Sequence, residues 1–543
     1  MATTISTVQT DLTRYPYPSQ RTPVMAARGG VATSQPLAAQ AGLSMLQNGG
    51  SAVDAALASA IALTVVEPTS NGIGGDAFAL VWDGHTLHGL NGSGRAPARA
   101  TVDALAAAGH KDVPALGWWP VTVPGAPRAW ADLHARFGRL PFASLFAPAI
   151  TYARLGFPVS PVIARLWAGG FNRYSQIDGP EFRPWFDTFA PTGRPPLAGE
   201  RWSSPAHAAT LERIADSGAR DFYEGELAGR IAGFTAETSG LLTHDDLAAH
   251  TSTWVDPIAG HYRGYDVWEI PPNGQGIATL IGLQILDGLD LAAHPRESAD
   301  AYHLQIEALK LSLTDARRYV ADMGQADVPV RGLLDPAYAA ERRALIGERA
   351  LDPAPGSPAR GGTVYLCAAD ADGMMVSYIQ SNYQGFGSGV VVPGTGIALH
   401  NRGYGFVTAE GHPNRLAPGK RPFHTIIPGF LTRDGRVIGP FGVMGGFMQA
   451  QGHLQMMVNT LDYAMNPQAS LDAPRWRWDG GRTVAIEPGV PDGVAAGLRA
   501  LGHDIVREET TGGYGRGQII WRLADGGYVA GSDPRADGCA VAN

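Results

Sequence analysis

The sequence of 543 residues contains little cysteine, few charged side chains and no run of five basic residues. Its two cysteines, Cys367 and Cys539, cannot form a disulfide framework, and such scarcity is typical of a reducing compartment. Both flanks of Cys367 are apolar, which predicts a buried thiol. Charged residues make up 17% of the chain and the formal net charge is −8. Nucleic acid and anionic membranes are therefore not expected as partners.

Long apolar segments are also missing. The longest apolar stretch, Ala52 to Val66, has about fifteen residues and contains Asp54, so it is too short to cross a membrane. The first twenty residues are polar and lack the apolar centre of a signal peptide. We therefore expect a cytoplasmic protein without a membrane partner.

The chain is rich in residues that form a hydrophobic core and turns: 45% of its residues are hydrophobic, and it has 70 glycines and 40 prolines. Stop signals and periodicity predict helices over residues 36–47 and 52–66, the second apolar on nearly every face. A glycine loop then leads into a strand. Residues 127–345 are predicted mostly helical, and residues 363–400, 423–446 and 517–531 as strands. The order of elements predicts one interleaved α/β (α+β) domain.

At residue 363 the period of the hydrophobic pattern changes to two, which is typical of a β-strand. The stretch LDPAPGSPARGG, residues 351–362, is predicted to be an exposed linker. Two strand-like runs follow, on either side of Asp372-Gly373, which is a strong hairpin signal. Depending on the loop, position 363 lies opposite 380 or 382, and both registers bring Ser381 beside Thr363.

Thr363 has two interpretations. On the hairpin alone, a structural threonine in a strand is favoured. A functional hydroxyl would need a base, and no His, Asp or Glu lies within five residues. Cleavage of the Gly362–Thr363 bond would supply one, because the new α-amine has a pKa near ~8 and can serve its own hydroxyl.

A wider set of motifs bears on this choice. Asn48 to Leu80, NGGSAVDAALASAIALTVVEPTSNGIGGDAFAL, resembles the N-terminal signature of the γ-glutamyltransferase (γ-glutamyltranspeptidase) family of N-terminal-nucleophile hydrolases. Its NGIGGDAF part matches a structural glycine loop. Five later motifs follow in the family's order over nearly the whole chain: GSGRAP (92–97), PGKRPFHTIIP (418–428), GVMGG (442–446), LDAPRW (471–476) and GSDPRADG (531–538).

The resemblance implies a four-layer αββα sandwich and a proenzyme that cleaves itself between Gly362 and Thr363. The products would be a large segment, 1–362, and a small segment, 363–543, that remain together as a heterodimer. Thr363 matches the nucleophile and Ser381 a hydroxyl that hydrogen-bonds to it. Gly445 and Gly446 match the diglycine whose N–H groups form the oxyanion hole; from the sequence alone, a tight turn is the simpler interpretation.

Several positions depart from the best-known members of the family. The usual carboxylate-binding arginine is replaced by Ser93, and Arg95 could supply the cation from a shifted backbone or lie on the surface. A glutamine–aspartate pair that holds the substrate amine aligns with Arg402 and Gly405. The implied pocket has lost a carboxylate and favours an acyl group that bears a carboxylate but no ammonium. Alternatively, Arg402 points to solvent or to a structural carboxylate.

Three more substrate-site positions differ. An asparagine of the family aligns with Tyr383, and a serine pair aligns with His424 and Thr425. His424 could position a substrate group or be a structural histidine. With SNYQGFGSG, NRGYGF and RPFHT, the chain resembles a divergent branch that includes cephalosporin (glutaryl) acylases and oxamate amidohydrolase.

The sequence therefore predicts a self-processing N-terminal-threonine amidohydrolase that acts on a small-molecule amide through an acyl-enzyme. A true γ-glutamyltransferase or glutathione hydrolase is the alternative, and a non-catalytic binding protein on the same fold is a further one. No cofactor is expected. No metal site is expected either, because the histidines are scattered and the cysteines are far apart. Assembly into a homo-oligomer is left open.

Overall fold

The computed structural model describes residues 21–353, 364–524 and 526–543. Gly362, Thr363 and most of the predicted linker lie outside the described residues. Within these ranges, no helix is both long and apolar enough to span a bilayer.

The described strands follow one another along the chain as β1 (Val24–Ala26), β2 (Gly30–Thr33), β3 (Asp76–Trp82), β4 (Leu87–Gly92), β5 (Phe157–Pro158), β6 (Arg201–Trp202), β7 (Thr253–Val255), β8 (Ile258–Tyr262), β9 (Tyr265–Glu269), β10 (Val364–Ala369), β11 (Met375–Ser381), β12 (Gly429–Arg433), β13 (Arg436–Met444), β14 (Trp476–Gly480), β15 (Thr483–Ile486), β16 (Asp504–Arg507), β17 (Arg516–Arg522), β18 (Tyr528–Ser532) and β19 (Cys539–Ala542).

The described α-helices are α1 (Pro36–Gln47), α2 (Ala52–Val66), α3 (Val102–Ala107), α4 (Ala126–Phe137), α5 (Ala147–Leu155), α6 (Pro161–Tyr174), α7 (Arg183–Phe189), α8 (Pro205–Ser217), α9 (Arg220–Glu224), α10 (Glu226–Glu237), α11 (His244–Ala248), α12 (Gly276–Asp287), α13 (Ala299–Tyr319), α14 (Val330–Leu333), α15 (Pro336–Arg343), α16 (Met448–Leu461), α17 (Pro467–Asp472) and α18 (Asp492–Ala500). Short 3-10 turns cover Phe142–Phe146, Pro180–Phe182, Leu291–Ala293 and Arg402–Gly405.

Two seven-stranded sheets form the centre of the molecule. One has the strand order β1-β18-β17-β13-β12-β9-β8 and the other β19-β2-β10-β11-β3-β4-β7. The sheets pack face to face, with β10 against β13 and β17 and with β11 against β13. Helices α1, α2 and α4 cover the outer face of the second sheet, and α12, α16 and α17 cover that of the first. The predicted four-layer αββα sandwich is confirmed.

Helix α2 shows how local sequence builds the layer next to the second sheet. The Ser51 hydroxyl accepts a hydrogen bond from the Asp54 N–H, and the Asp54 carboxylate accepts one from the Ser51 N–H, so a capping box fixes the first turn. All fifteen residues of the helix are buried, as their apolar pattern predicts. The helix ends before Pro68, which lacks the N–H needed to continue it.

The predicted strand region 363–400 is only partly correct. Beyond Ser381 the extended chain is limited to isolated bridges, such as Val391 with Ala398. Tyr383 and Phe386 have φ angles of 73° and 55°, and this left-handed backbone interrupts a ladder. After these strands the chain returns to helix in α16, and Cys367 is fully buried as predicted.

Candidate active site

The hairpin of β10 and β11 carries the first candidate residues. Val364 pairs with Gln380, and the two predicted registers differ from this one by a single residue in opposite directions. The reason is the turn, in which the Asp370 N–H donates to the Met374 carbonyl and Gly373 has a φ of 88°, so the loop has one more residue than a two-residue turn. Ser381, the residue after Gln380, is fully buried, and its Oγ accepts from the Tyr383 N–H at 2.7 Å.

Tyr383 and Arg402, two of the predicted substrate-site residues, are in contact. The Arg402 guanidinium carbon lies 4.3 Å from the centre of the Tyr383 ring, in the geometry of a cation–π interaction. Nη1 of Arg402 also donates to Oγ1 of Thr425 at 2.7 Å. Both residues and Tyr383 are buried, so the structure brings three of the predicted residues together.

An acid that the sequence did not single out lies at the centre of this group. Asp76 begins β3 and faces Ser381 across the β3–β11 ladder. Its Oδ2 is 2.5 Å from Nε2 of His424 and 3.7 Å from Nε of Arg402. His400 Nδ1 lies 3.7 Å from the same oxygen. The alignment with the family predicted that the pocket around Arg402 has lost a carboxylate. In the structure, Asp76 of β3 supplies a carboxylate there.

The buried cluster of Asp76, His400, Arg402, His424 and Thr425 has one ionic pair. Burial works against ionisation of Asp76, but His424, Arg402 and His400 outweigh it and hold the pKa of the carboxyl below its usual value. Burial, with the charge of Arg402, lowers the pKa of His424 to about 3. The Ile426 N–H donates to Nδ1 of His424, so the neutral ring carries its hydrogen on Nε2 and donates it to Asp76.

The diglycine is linked through Gln275 to Thr425 of this cluster. Gly445 and Gly446 have φ angles of 137° and 62° and follow β13 directly. Among the described residues, neither N–H has a hydrogen-bond acceptor, which is the condition for an anion-binding pair. The side-chain amide of Gln275 donates to the carbonyls of both Thr425 and Gly446, so it fixes the diglycine next to the cluster.

Arg95 is placed apart from these residues. Its Nη1 donates to the Gly419 carbonyl at 3.0 Å and lies 3.4 Å from Asp322, and 43% of the side chain is exposed. Ser93, at the position of the usual arginine, is buried and donates to Oδ1 of Asn91 at 2.6 Å. Within the described residues, the polar contacts of Arg95 do not include the cluster.

An open cavity of about 640 Å³ begins at Gly445. Phe386, Phe447 and Trp478 form apolar parts of its wall, and Arg516 and Arg173 contribute cations. Tyr383, Arg402, His424 and Thr425 are not part of this lining. Gly445 therefore borders an open cavity, while Gly446 is linked through Gln275 to Thr425 of the buried cluster.

The described residues contain one group with the spacing of metal ligands, although the sequence predicted none. The ligand atoms of His303, Glu307 and His503 lie within 4.8 Å of one another, and all three residues are buried. The Lys310 ammonium is 2.7 Å from Oε1 of Glu307, and Nδ1 of His303 is 2.8 Å from Nε2 of His503. These contacts fit a hydrogen-bonded ionic group, because a divalent cation would face the ammonium of Lys310.

Sequence reasoning missed Asp76, His400 and Gln275. For Asp76 a signal was present, since a lone acid at the start of a fully apolar strand is costly to bury without a partner. His400 stands two residues before Arg402, but nothing local indicates that its ring turns towards Asp76. Gln275 lies in a turn and gives no signal of its own.

Comparison with known proteins agrees with this geometry. Residues 38–543 match the Gamma-glutamyltranspeptidase family. The chain belongs to the γ-glutamyltranspeptidase family. The family assignment that the motifs predicted is therefore confirmed.

Three similar proteins of the γ-glutamyltranspeptidase family illustrate its range. A cephalosporin acylase structure from Bacillus halodurans is 54% identical, with a TM-score of 0.94 and 98% of both chains covered. A glutathione hydrolase-like YwrD proenzyme of Bacillus subtilis (strain 168) is 37% identical over 93% of this chain and 96% of its own. An acylase ACY 1 proenzyme of Pseudomonas sp. (strain V22) is 35% identical over 96% and 95%. As a member of this family, the chain is a proenzyme hydrolase.

Proposed function

We propose that the chain cleaves itself before Thr363 and then hydrolyses amides whose acyl group carries a carboxylate. One observation carries the acyl assignment: Arg402 is fully buried, yet its Nε and Nη2 have no hydrogen-bond partner among the described residues. A buried guanidinium with unpaired donors is costly, and a carboxylate that accepts from them removes that cost. The cephalosporin acylase and acylase names of similar proteins support this substrate class.

The proposed reaction starts from the new α-amine of Thr363. The amine takes the proton of the hydroxyl, Oγ1 attacks the amide carbonyl carbon, and the oxyanion accepts from the N–H groups of Gly445 and Gly446. The carbon–nitrogen bond then breaks, and the Thr363 ammonium gives its proton to the leaving amine of the substrate. Water finally hydrolyses the acyl ester and restores the Thr363 hydroxyl. Ser381, the neighbour of Gln380 on β11, is the proposed hydrogen-bond partner of the nucleophile, since Val364 pairs with Gln380.

The two proposed segments, 1–362 and 363–543, would stay together through shared sheets. Strand β10 pairs with β2 and β11 pairs with β3 in one sheet. In the other sheet, β12 pairs with β9 and β18 with β1. Each pairing joins a strand of the large segment to one of the small segment, so cleavage leaves a heterodimer with a single core.

A γ-glutamyl substrate is the second candidate, and Asp76 favours it. Oδ1 of Asp76 is buried without a hydrogen-bond partner among the described residues, and a carboxylate beside Arg402 could hold the ammonium of a zwitterionic acyl group. The glutathione hydrolase-like relative points the same way. Arg402 and Asp76 together would then bind the two charges of that acyl group.

Three acyl 4-nitroanilides distinguish these possibilities: glutaryl, γ-glutamyl and uncharged butyryl. We expect kcat/KM to be highest for the glutaryl compound, and Arg402→Gln to reduce its advantage over butyryl about tenfold or more. Arg95→Gln, the other arginine that the sequence predicted, is the matched control and should keep that advantage. Preference for the γ-glutamyl compound would favour the second candidate, and loss of the glutaryl advantage only in Arg95→Gln would overturn the assignment to Arg402. Ligand binding without processing or turnover would favour a non-catalytic protein.

The compartment and the wider partners stay predictions. Two cysteines and the lack of basic runs support a cytoplasmic protein that binds neither nucleic acid nor membranes. Two measurements test the compartment: titration of the free thiols in the purified protein, and the distribution of the protein among cell fractions.

A further inference from the structure

We infer that Glu269 and His453 are positioning residues for the proposed oxyanion site: they hold the end of β13 so that Gly445 and Gly446 present their N–H groups to the substrate carbonyl. The inference rests on the proposed function, because it requires the diglycine to bind the oxyanion. It adds two residues outside the buried cluster, and both act on the reaction through the backbone of Val443.

In the part of the chain that the structure describes, the last residues of β13 have a strand partner on one side only. On that side Val443 pairs with Gly517 of β17. On the other side, the ladder between β12 and β13 ends at the pair Gly429–Phe441. Pro428, which precedes β12, has no N–H that could extend this ladder. The backbone that leads into the diglycine therefore needs another hydrogen-bond partner on this side.

His453 of α16 takes the place of the missing strand. Its Nε2 accepts a hydrogen bond from the Val443 N–H at 3.1 Å, and the residue is fully buried. A glycine permits the close approach of α16, since a Cβ at Gly452 would lie 2.9 Å from Cγ1 of Val443. The Phe441 ring of the same strand packs against the imidazole, with 5.0 Å between the ring centres. These contacts hold β13 two residues before Gly445.

Glu269 fixes the tautomer of His453 that this contact requires. Nδ1 of His453 lies 2.7 Å from Oε1 of Glu269, which is fully buried at the end of β9. Burial lowers the pKa of His453 to about 3 and raises the pKa of Glu269 well above its usual value. The ring is therefore neutral, and because Nε2 accepts from Val443, the hydrogen lies on Nδ1 and is donated to Glu269. Removal of this acceptor would allow the other tautomer, whose Nε2–H cannot accept from Val443.

Glu269 also borders the second support of the diglycine. A Cβ at Gly276 would lie 2.8 Å from Oε2 of Glu269, so the carboxyl packs directly against the first residue of α12. Gly276 follows Gln275, whose side-chain amide donates to the Gly446 carbonyl at 2.9 Å. The turn is thus held at its start by the imidazole and at its end by Gln275, and Glu269 packs beside both supports.

This arrangement predicts an effect on the transition state rather than on substrate binding. The oxyanion forms only when the nucleophile attacks the carbonyl carbon, so displaced N–H groups lower kcat much more than they change KM. A purely structural role of Glu269 and His453 would instead lower the melting temperature and leave the kcat of the folded enzyme unchanged.

Two substitutions of His453 separate these roles. His453→Gln can present an amide oxygen near the position of Nε2 and keep an acceptor for Val443, whereas His453→Asn reaches only as far as Nδ1. The processed enzyme is assayed with whichever of glutaryl and γ-glutamyl 4-nitroanilide the wild type hydrolyses faster. We expect His453→Asn to lower kcat about thirtyfold while KM changes less than about threefold, and His453→Gln to stay within about fivefold of the wild-type kcat.

Variants of Glu269 test the other half of the pair. Glu269→Leu removes the acceptor for Nδ1–H and should lower kcat about tenfold, whereas Glu269→Gln keeps an oxygen there and should restore most of the activity. These two variants give the same test if His453→Asn does not fold or process. His261→Asn is the matched control, because that side chain is 63% exposed on β8, and it should leave kcat unchanged. Equal losses in His453→Asn and His453→Gln, or an unchanged kcat in both His453→Asn and Glu269→Leu, would overturn the inference.

Amide hydrogen exchange gives a readout that does not depend on turnover. Mass spectrometry of a peptide that covers residues 441–447 should show faster exchange in His453→Asn than in the wild type, but not in His453→Gln or His261→Asn. If the wild type hydrolyses neither anilide, the proposed function fails, and the exchange data still decide whether His453 holds β13. Unchanged exchange of this peptide in His453→Asn would show that it does not.

Discussion

Replacing Asp76 by asparagine tests the buried cluster most directly. The substitution keeps the shape of the side chain but removes the charge that lies 2.5 Å from His424 and 3.7 Å from Arg402. Arg402 is then a fully buried cation without its anion. Breaking a buried pair from one side costs about 3–5 kcal/mol.

The expected change in melting temperature follows from the chain length. An unfolding entropy of about 2.1 cal/mol/K per residue gives about 1.1 kcal/mol/K for 543 residues, so the loss corresponds to about 3–4 °C. Differential scanning calorimetry at one scan rate measures it. Asp434→Asn is the matched control, because that side chain is 85% exposed and its change should stay within about 1 °C.

A double variant checks the cause. Asp76→Asn combined with Arg402→Met removes both charges, so it should melt above Asp76→Asn alone, with a coupling of at least about 2 kcal/mol. The pKa of Asp76 is lower in the folded state than in the unfolded state, so the ionised carboxylate stabilises the fold fully above about pH 4, the pKa of an unfolded Asp. This stabilisation is lost as the pH falls below that pKa. Additive effects, or no shift for Asp76→Asn at pH 7, would refute the ionic pair.

The same substitution has a functional consequence. With Asp76 neutral, the positive charge of Arg402 is unopposed, and an acyl group with a carboxylate alone gains relative to one that also has an ammonium. The kcat/KM ratio of glutaryl to γ-glutamyl 4-nitroanilide should rise about tenfold. A fall in this ratio would mean that Asp76 does not face the substrate ammonium.

Three further predictions concern processing, the oxyanion site and acid stability. Thr363→Ala should give one band on a denaturing gel where the wild type gives two, and N-terminal sequencing of the smaller band should start at Thr363. Gly445→Ala, at a φ of 137°, should lower kcat about a hundredfold with little change in the amount of processed protein, as judged by single-turnover assay. Burial lowers the pKa values of His250, His424 and His453 to about 3, so the unfolded state binds more protons and stability falls with pH below about 6.5. These three histidines contribute a loss of about 4 kcal/mol between pH 7.5 and 5.5, which the raised pKa values of the buried Glu67 and Glu269 partly offset, and a urea midpoint that rises as the pH falls would contradict the histidine contribution.

The elements that sequence predicts best are those whose causes are local. The capping box at Ser51 and the apolar pattern after it define α2, and Asp372-Gly373 defines the hairpin to within one residue. Family motifs identified the diglycine, whose φ angles require glycine.

The cluster around Asp76 could not be predicted in this way. Asp76 and His424 are separated by 348 positions in the chain, and their contact depends on where β3 lies relative to β11 and on the turn near Gln275. Each of these arrangements is set by tertiary packing. The family resemblance therefore indicated that Arg402 was unusual, but not which carboxylate it meets.

The strand order explains how one proposed cleavage can create an active site without loosening the fold. Strand β10 lies inside its sheet, between β2 of the large segment and β11 of the small one. A cut before Thr363, one residue ahead of β10, breaks none of these ladders, because β10 keeps both neighbours. The new amine would thus form at the end of a strand that is held on both sides, next in sequence to the residue opposite Gln380. A nucleophile that must serve as its own base needs such a rigid position, since its amine has to take the proton while its hydroxyl oxygen attacks the carbonyl.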